Sequence, residues 1–364
     1  MGTSTLPWRG IARPPRWPRI LTGAAALLAC LPLLAQPAAA PRELRYASAA
    51  PVGSVWFTQT ERWIRHVDEH AKGQVAVRLF PNGQLGSDGA IVQQVASGRI
   101  DMAAVSLASA SVLAPELLVA ALPMQYRTAA EYHCVLDSGA STLMGERLAR
   151  KGVHVVALSD VGSVQLAGRR AFRTPEDLVG AKAGTFGSRL GLLLWTSLGA
   201  SPSAVSSADL ASAFQTGLIE VSTTTPILYT TSGLNKLAPV ITIADLYRMP
   251  SLVIVNQGVW DSLNPTQRAA LEGGRAGATL ALSRQEVSAA EERALAAHTG
   301  GGGQVAVLTD AQRAALRAVL ASNYNAMVAQ TGRDGAQLFA RIEAVRQGCE
   351  KARAARPADE GRVR

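Results

Sequence analysis

The sequence predicts an α/β protein of two lobes that face each other across a ligand cleft. Three observations carry that expectation. Residues 44–106 alternate strand and helix patterns as β-α-β-α-β, which calls for a largely parallel sheet with right-handed crossovers. The stretch Gly162–Gly199 reads as strand, turn, strand, helix, and such a strand-to-helix junction turns backbone N–H groups toward a crevice. The chain has 364 residues, enough for two lobes of ordinary size.

Residues 1–40 read as an export signal rather than as part of the fold. Arg9, Arg13, Arg16 and Arg19 give a basic start, Ile20 to Ala35 is apolar and uncharged, and Ala38-Ala39-Ala40 follows. That order is a charged region, a short apolar core and small residues at a cleavage site. An uncleaved membrane anchor is one alternative. A lipoprotein site at Leu27-Leu28-Ala29-Cys30 is another, although the apolar run continues past Cys30. Pro41 makes a cut after Ala40 a poor context, so the cleavage position stays open. Removing the four arginines takes the net charge from +9 to +5 over the remaining 324 residues.

Taken in order, Leu44 to Ser48 is a first strand. Ser54 caps a helix to about Ala71 with Trp56, Trp63, Ile64 and Val67 on its apolar face. Val75 to Phe80 is a second strand and Pro81 to Gly86 a loop. The next helix carries Ile91, Val92 and Val95 and stops at Gly98, and Asp101 to Ser106 is a third strand. Ala129 to Lys151 is expected as one long helix, followed by a buried strand from Val153 to Leu158. Pro175-Glu176-Asp177 makes a turn closed by Gly180, Ala181 to Phe186 is a strand, and Gly187-Ser188 opens a helix bearing Leu190, Leu192, Leu193, Leu194 and Trp195. Ser206 or Ser207 caps a helix through Asp209 to Gly217, and Leu218 to Thr224 is a strand. Pro239 to Ile243 and Leu252 to Asn256 are separate apolar runs. Asn264-Pro265 starts a helix that could run to about His298, with Gly273-Gly274 as a kink. Gly300 to Gly303 is a flexible link. Thr309 to Gln312 fits a capping box, and residues 349–364 are expected as a disordered, charged tail.

Composition excludes several functions. A +5 chain with scattered signs and no basic run interleaved with aromatics is not a nucleic-acid binder by charge. No CxxC and no metal-ligand cluster is visible, so neither metal nor cofactor is expected. His66, His70, His133, His154 and His298 form no arrangement with a Ser or Cys nucleophile, so no enzyme is expected. Cys134 and Cys349 remain beyond the export signal, and in an oxidising compartment they could pair or stay apart.

At this point the residues carry a family resemblance. Phe80-Pro81-Asn82-Gly83-Gln84-Leu85-Gly86, then Gly98-Arg99-Ile100-Asp101-Met102, resembles the solute receptors of tripartite ATP-independent periplasmic (TRAP) transporters, the DctP type. Pro175 to Lys182, Gly199-Ala200-Ser201-Pro202, Gln215-Thr216-Gly217, Val255-Asn256 and Trp260-Asp261-Ser262-Leu263 continue the match over nearly all of residues 42–345. The resemblance implies a periplasmic binding protein of type II-like fold, with two α/β lobes, a hinged cleft and a long helix packed across both. Lobe I would take residues 41–160 plus about 250–285, and lobe II residues 161–249 plus about 286–348. It implies a periplasmic receptor, monomeric or homodimeric, that captures a small solute and delivers it to the small and large permease subunits of a TRAP transporter. A receptor that serves a signalling partner instead is the alternative.

The resemblance also points to a site from which this chain departs. Family members usually hold a substrate carboxylate with an arginine before the Gly-Ala-Ser-Pro turn, because a guanidinium donates two parallel hydrogen bonds to a carboxylate. Here that position is Gly184. A second arginine position is Val164, an aromatic position is Ser207, and the polar end of the third strand is Ser106. Thr223 and Thr224 occupy the segment where an asparagine usually points inward. Thr185 and Phe186 continue the junction beside Gly184. Asp88 stands where the family sometimes uses an acid, with a helix N-terminal charge as its other reading. Trp56 and Tyr247 could pack on a ligand or in the core. Either Arg170 or Arg189 supplies the missing cation, or the ligand is neutral or weakly anionic; an organic acid is favoured by a small margin.

Overall fold

The structure, a computed structural model, describes residues 40–185, 189–205, 209–277 and 280–355. The strands are β1 (Arg42–Ser48), β2 (Val75–Phe80), β3 (Met102–Ser106), β4 (Val153–Gly168), β5 (Lys182–Thr185), β6 (Ser201–Ala204), β7 (Val221–Thr224), β8 (Val240–Asn256) and β9 (Gln304–Val307). Before β4 lie α1 (Val55–His70), α2 (Asp88–Ala96), α3 (Leu107–Ala110), α4 (Ala129–Val135) and α5 (Ser141–Ala149). Next come α6 (Pro175–Leu178), α7 (Arg189–Ser197), α8 (Leu210–Gln215) and α9 (Pro226–Thr231). The rest are α10 (Gln257–Ser262), α11 (Pro265–Gly277), α12 (Leu280–Gly300), α13 (Asp310–Ser322), α14 (Tyr324–Ala329) and α15 (Gly332–Ala354).

Local chemistry explains most of these boundaries. Ser54, Ser87, Thr128 and Asn256 each accept a backbone N–H of the helix they precede, and Thr174 and Thr309 form full capping boxes. Several boundaries differ from expectation or fall partly outside the described residues. The helix expected over 129–151 is interrupted at Leu136–Ala140, where Gly139 takes φ 135° and widens the turn. The strand expected to stop at Leu158 continues to Gly168, and the two apolar runs 239–243 and 252–256 are one strand, β8. The helix expected from Pro265 to His298 is described as α11 and α12, with residues 278–279 outside the description; its expected kink at Gly273-Gly274 lies inside α11. Residues 349–354, expected in a disordered tail, belong to α15, which runs to Ala354 and buries Cys349, disulfide-bonded to Cys134 on α4; the rest of the expected tail beyond Ala355 lies outside the described residues.

Among the described residues the strands form one sheet in the order β2-β1-β3-β8-β4-β7-β5-β6, with β9 also paired to β8. β1, β2 and β3 are parallel, as are β5, β6 and β7. β4 and β8 run antiparallel to each other from Val153↔Asn256 to Gly168↔Val240 and carry the sheet from one half to the other. In the first half β3 pairs with β8; in the second half β7 pairs with β4. The register jumps between Val164↔Tyr247 and Leu166↔Thr242, so β8 bulges over Ile243–Leu246. The Gln165 amide fills that bulge, accepting Ala244 N and Asp245 N, each at 2.8 Å, and donating to Asp245 Oδ1 at 2.9 Å.

Three apolar clusters cover the sheet. One joins α2, α4, α5 and α7 with α13 and α15, through residues such as Ile91, Tyr132, Trp195, Leu316 and Leu338. A second packs α1 and α11 on the first half through Trp63, Val67 and Leu271. The third, around Phe214, Tyr229 and Ile241, belongs to the second half. α12 lies across the strand crossing: Ser283 Oγ accepts Asp160 N at 3.0 Å, Glu291 Oε1 accepts Ser163 N at 2.8 Å, and His298 meets Tyr229 Oη at 3.2 Å.

Candidate ligand site at the strand crossing

The site begins from strand ends. β3, β5 and β7 all finish near the crossing of β4 with β8, and they finish in hydroxyl residues. In the first half, Ser106 ends β3, and its N and Oγ donate to Asp88 Oδ2 at 3.1 and 2.8 Å. Asp88 occupies the first turn of α2, so it serves the helix dipole and orients Ser106 at once. Trp56, half-buried at the start of α1, donates its indole N–H to Asp160 O at 3.1 Å and so is held against the crossing.

In the second half, Gly184 pairs with Ser222 and Gln165 with Thr224. Thr185 and Thr223 therefore stand one residue beyond the paired strand residues, at the same level. Thr185, Thr223 and Thr224 are all buried. Among the described residues the Thr185 hydroxyl has no hydrogen-bond partner. Tyr247, opposite Val164, has its phenol pushed up to about 12 by burial, partly offset by a hydrogen bond with Thr223. Ser106 is opposite Ser251 on β8, four residues from Tyr247, which is about 13 Å along a strand. A small solute spans that distance.

Neither Gly184 nor Val164, which the resemblance sets at arginine positions, carries a charge, and the space at Gly184 is closed. A Cβ on Gly184 would lie 2.7 Å from Ile219 Cδ1 and 3.4 Å from Ser222 Oγ. The Gly184 carbonyl accepts Trp195 Nε1 at 3.2 Å and Ser222 Oγ at 3.3 Å. The side-chain volume has been ceded to an isoleucine. Val164 is buried beside Tyr247.

The two candidate replacement cations part company. Arg170 pairs with Asp177 at 3.3 Å, donates to its carbonyl at 2.9 Å and stacks over Phe172, so the turn before α6 consumes its charge. Arg189 is exposed at the start of α7 and meets only the neutral Gln330 Oε1, at 3.4 Å, among the contacts described. Phe186 and Ser207 lie outside the described residues.

Four arginines that sequence reasoning missed converge on the hinge instead. Arg127, Arg248, Arg313 and Arg317 line a cavity of about 140 Å³ together with Ser163, Asp245 and Tyr247. Arg248 pairs with Asp160 at 3.2 Å and approaches Glu291 at 3.8 Å; Arg313 pairs with Asp245 at 3.2 Å. Burial pushes the Asp245 carboxyl up, but hydrogen bonds from Gln165 and Ser163 and the charges of Arg313 and Arg248 outweigh it and leave its pKa below the usual range. No spacing rule could have found this group, because it draws on a loop, a bulged strand and a late helix.

The histidines sit in packing roles. His66 stacks on His70, His154 on Trp260, and His133 lies 3.9 Å from Asp160. Among the described residues no group of three or more His, Cys, Asp or Glu side chains could hold a metal, and no helix is long and apolar enough to cross a membrane.

Two α/β halves joined by paired crossing strands, with polar strand ends facing the joint, define a two-lobed solute receptor. Residues 46–331 match the family model of bacterial extracellular solute-binding protein family 7, DctP, and the chain belongs to that family. It is 27% identical over 331 residues to the C4-dicarboxylate-binding periplasmic protein DctP of Rhodobacter capsulatus, covering 89% of this chain and 96% of the relative. Two solved TRAP periplasmic solute-binding proteins share the fold. One, from Chromohalobacter salexigens with bound D-glucuronate, has a TM-score of 0.77 at 19% identity, covering 83% of this chain and 99% of that one. The other, from Ralstonia eutropha with bound (S)-2-acetolactate, has a TM-score of 0.75 at 23% identity, covering 84% and 99%. The protein is thus a solute receptor of the TRAP class, with the two-lobed type II-like fold that the sequence implied.

Proposed function

We propose that this receptor captures a small organic acid bearing several hydroxyl groups, and hands it to the two permease subunits of a TRAP transporter. The observation that carries the reading is the row of hydroxyls at the buried Thr185, Thr223 and Thr224 and the half-buried Tyr247, with the Thr185 oxygen unpartnered among the described residues. Hydroxyls both donate and accept, so such a row suits a polyhydroxylated solute better than a bare dicarboxylate. The relatives named above bind a dicarboxylate, a sugar acid and a hydroxy-oxo acid, and each of those ligands carries a carboxylate.

The carboxylate needs a partner, since burying it alone costs several kcal/mol. Arg189 is the candidate, because among the described residues its guanidinium meets only a neutral amide while Arg170 is spent on Asp177. A neutral polyol is the second reading, favoured by the closure of Gly184 against Ile219. In either case the protein binds without transforming its solute. Lobe I comprises residues 41–160 with about 250–285, lobe II residues 161–249 with about 286–348, and residues 1–40 direct export to the periplasm.

The test is calorimetric titration with hexuronates, aldonates, C4-dicarboxylates and the matching neutral sugars. Thr224→Ala should weaken the best ligand about tenfold. Arg189→Ala should weaken acids only; an acid bound equally well by that variant removes Arg189 from the site, and binding confined to neutral sugars overturns the acid.

A further inference from the structure

We infer that the cavity at the hinge is a second binding site, for a small oxyanion, which borders the solute site at Tyr247. It holds about 140 Å³, room for several waters or one tetrahedral or planar oxyanion. Its walls come from both sides of the joint. Leu122 to Tyr132 belongs with the first half, Ser163 and residues 245–248 with the crossing strands, and Arg313 and Arg317 with α13.

The charge on these walls does not balance. Arg248 is matched by Asp160 and Glu291, and Arg313 by Asp245. Glu131, which accepts the Arg127 backbone N–H, is paired with Arg346 at 3.2 Å. Arg127 and Arg317 are left without an acidic partner within ion-pair distance among the described residues. Arg317 spends only Nε, on Met124 O at 3.2 Å, which leaves both terminal NH2 groups free for a bidentate acceptor. Burial chiefly, with the positive neighbours Arg127 and Arg313, pulls its pKa below the usual arginine value despite Tyr324 and Glu131.

A second, independent feature points the same way. Tyr132 also lines the cavity, is almost fully buried, and its hydroxyl has no hydrogen-bond partner among the described residues. A buried hydroxyl without a partner costs free energy that a bound acceptor returns. Two unmatched guanidinium groups and one unmatched hydroxyl facing a compact cavity are the donor set of a phosphate, sulfate or carboxylate site.

The test is thermal unfolding of the full chain with inorganic phosphate, sulfate or acetate, each against sodium chloride at matched ionic strength. The expected result is a saturable rise of about 2–4 °C with at least one oxyanion. It should vanish in Arg317→Gln and in Arg127→Gln, and persist in Arg170→Gln. Arg127 is exposed and makes no described side-chain contact that folding needs, so its variant stays informative if Arg317→Gln fails to fold. Arg127→Gln should also keep its affinity for the transported solute. The inference is overturned if no oxyanion exceeds chloride, or if Arg127→Gln responds as the parent does.

Discussion

Glu291 on α12 accepts the backbone N–H of Ser163 on β4 at 2.8 Å, where the chain passes from one half of the sheet to the other. The carboxyl is buried, and burial pushes its pKa up to about 7, against the Ser163 hydrogen bond and the charge of Arg248. Unfolded, it titrates near 4.5. Between these values the folded state holds the proton and the unfolded state does not, so stability falls as pH rises from about 4.5 to about 7 and then levels off. The loss is on the order of 3 kcal/mol at most. Glu291→Gln should flatten that slope. Urea midpoints of both proteins at pH 5, 6, 7 and 8 measure it, and parallel slopes would dismiss the elevated carboxyl.

Thr185→Val replaces a buried, unpartnered hydroxyl with a methyl group of the same shape. Stability should hold or rise slightly, because no hydrogen bond is lost in the folded receptor. Solute affinity should fall about 5- to 20-fold if the hydroxyl meets the ligand. Unfolding temperature and titration calorimetry on one preparation separate the two effects. Unchanged affinity would place Thr185 in the wall rather than the site.

Restoring the family's arginine should fail at first. Gly184→Arg forces Ile219 Cδ1 aside from a 2.7 Å approach, at a cost of about 1–3 kcal/mol. The pair Gly184→Arg with Ile219→Ala opens the volume and should raise affinity for carboxylates about tenfold. If the double variant binds acids no better than the parent, residue 184 does not face the solute.

Reduction of Cys134–Cys349 removes a cross-link across 215 residues of sequence. Disulfides typically contribute about 2–4 kcal/mol, and a loop this long sits at or above the top of that range. Cys349→Ser should lower the unfolding free energy, read from urea titration, by about 2–4 kcal/mol or more while solute affinity stays the same, since neither sulfur lies at the strand crossing. A drop in affinity would tie α15 to the site.

What the sequence revealed follows from range. Ser54, Thr309 and the β-α-β-α-β order are local signals, and each was legible because a cap or an apolar period needs only a few neighbouring residues. β8 was not legible as one strand, because Asp245 takes φ 47° inside a bulge whose polar bonds come from Gln165, far away in the chain. Gly184 could be recognised as an empty arginine position, yet its closure by Ile219 depends on β5 lying beside the segment that leads into β7. Asp88 and Ser106 were named separately, and only the structure showed that one orients the other. The placing of Arg127 and Arg317 on one cavity was beyond reach, since α13 must first fold over the joint.

Asn323 is at once the last cap of α13 and the first of α14. On its near side Arg313 grips the β8 bulge; on its far side Tyr324 donates to Pro123 O at 2.6 Å and α15 is bonded covalently to α4. A swing of one half against the other therefore also works on the α13–α14 joint, as well as on β4, β8 and α12. The clamp has a fourth strap, and loosening it, for instance with Tyr324→Phe, would retune how far the jaws travel without touching their grip.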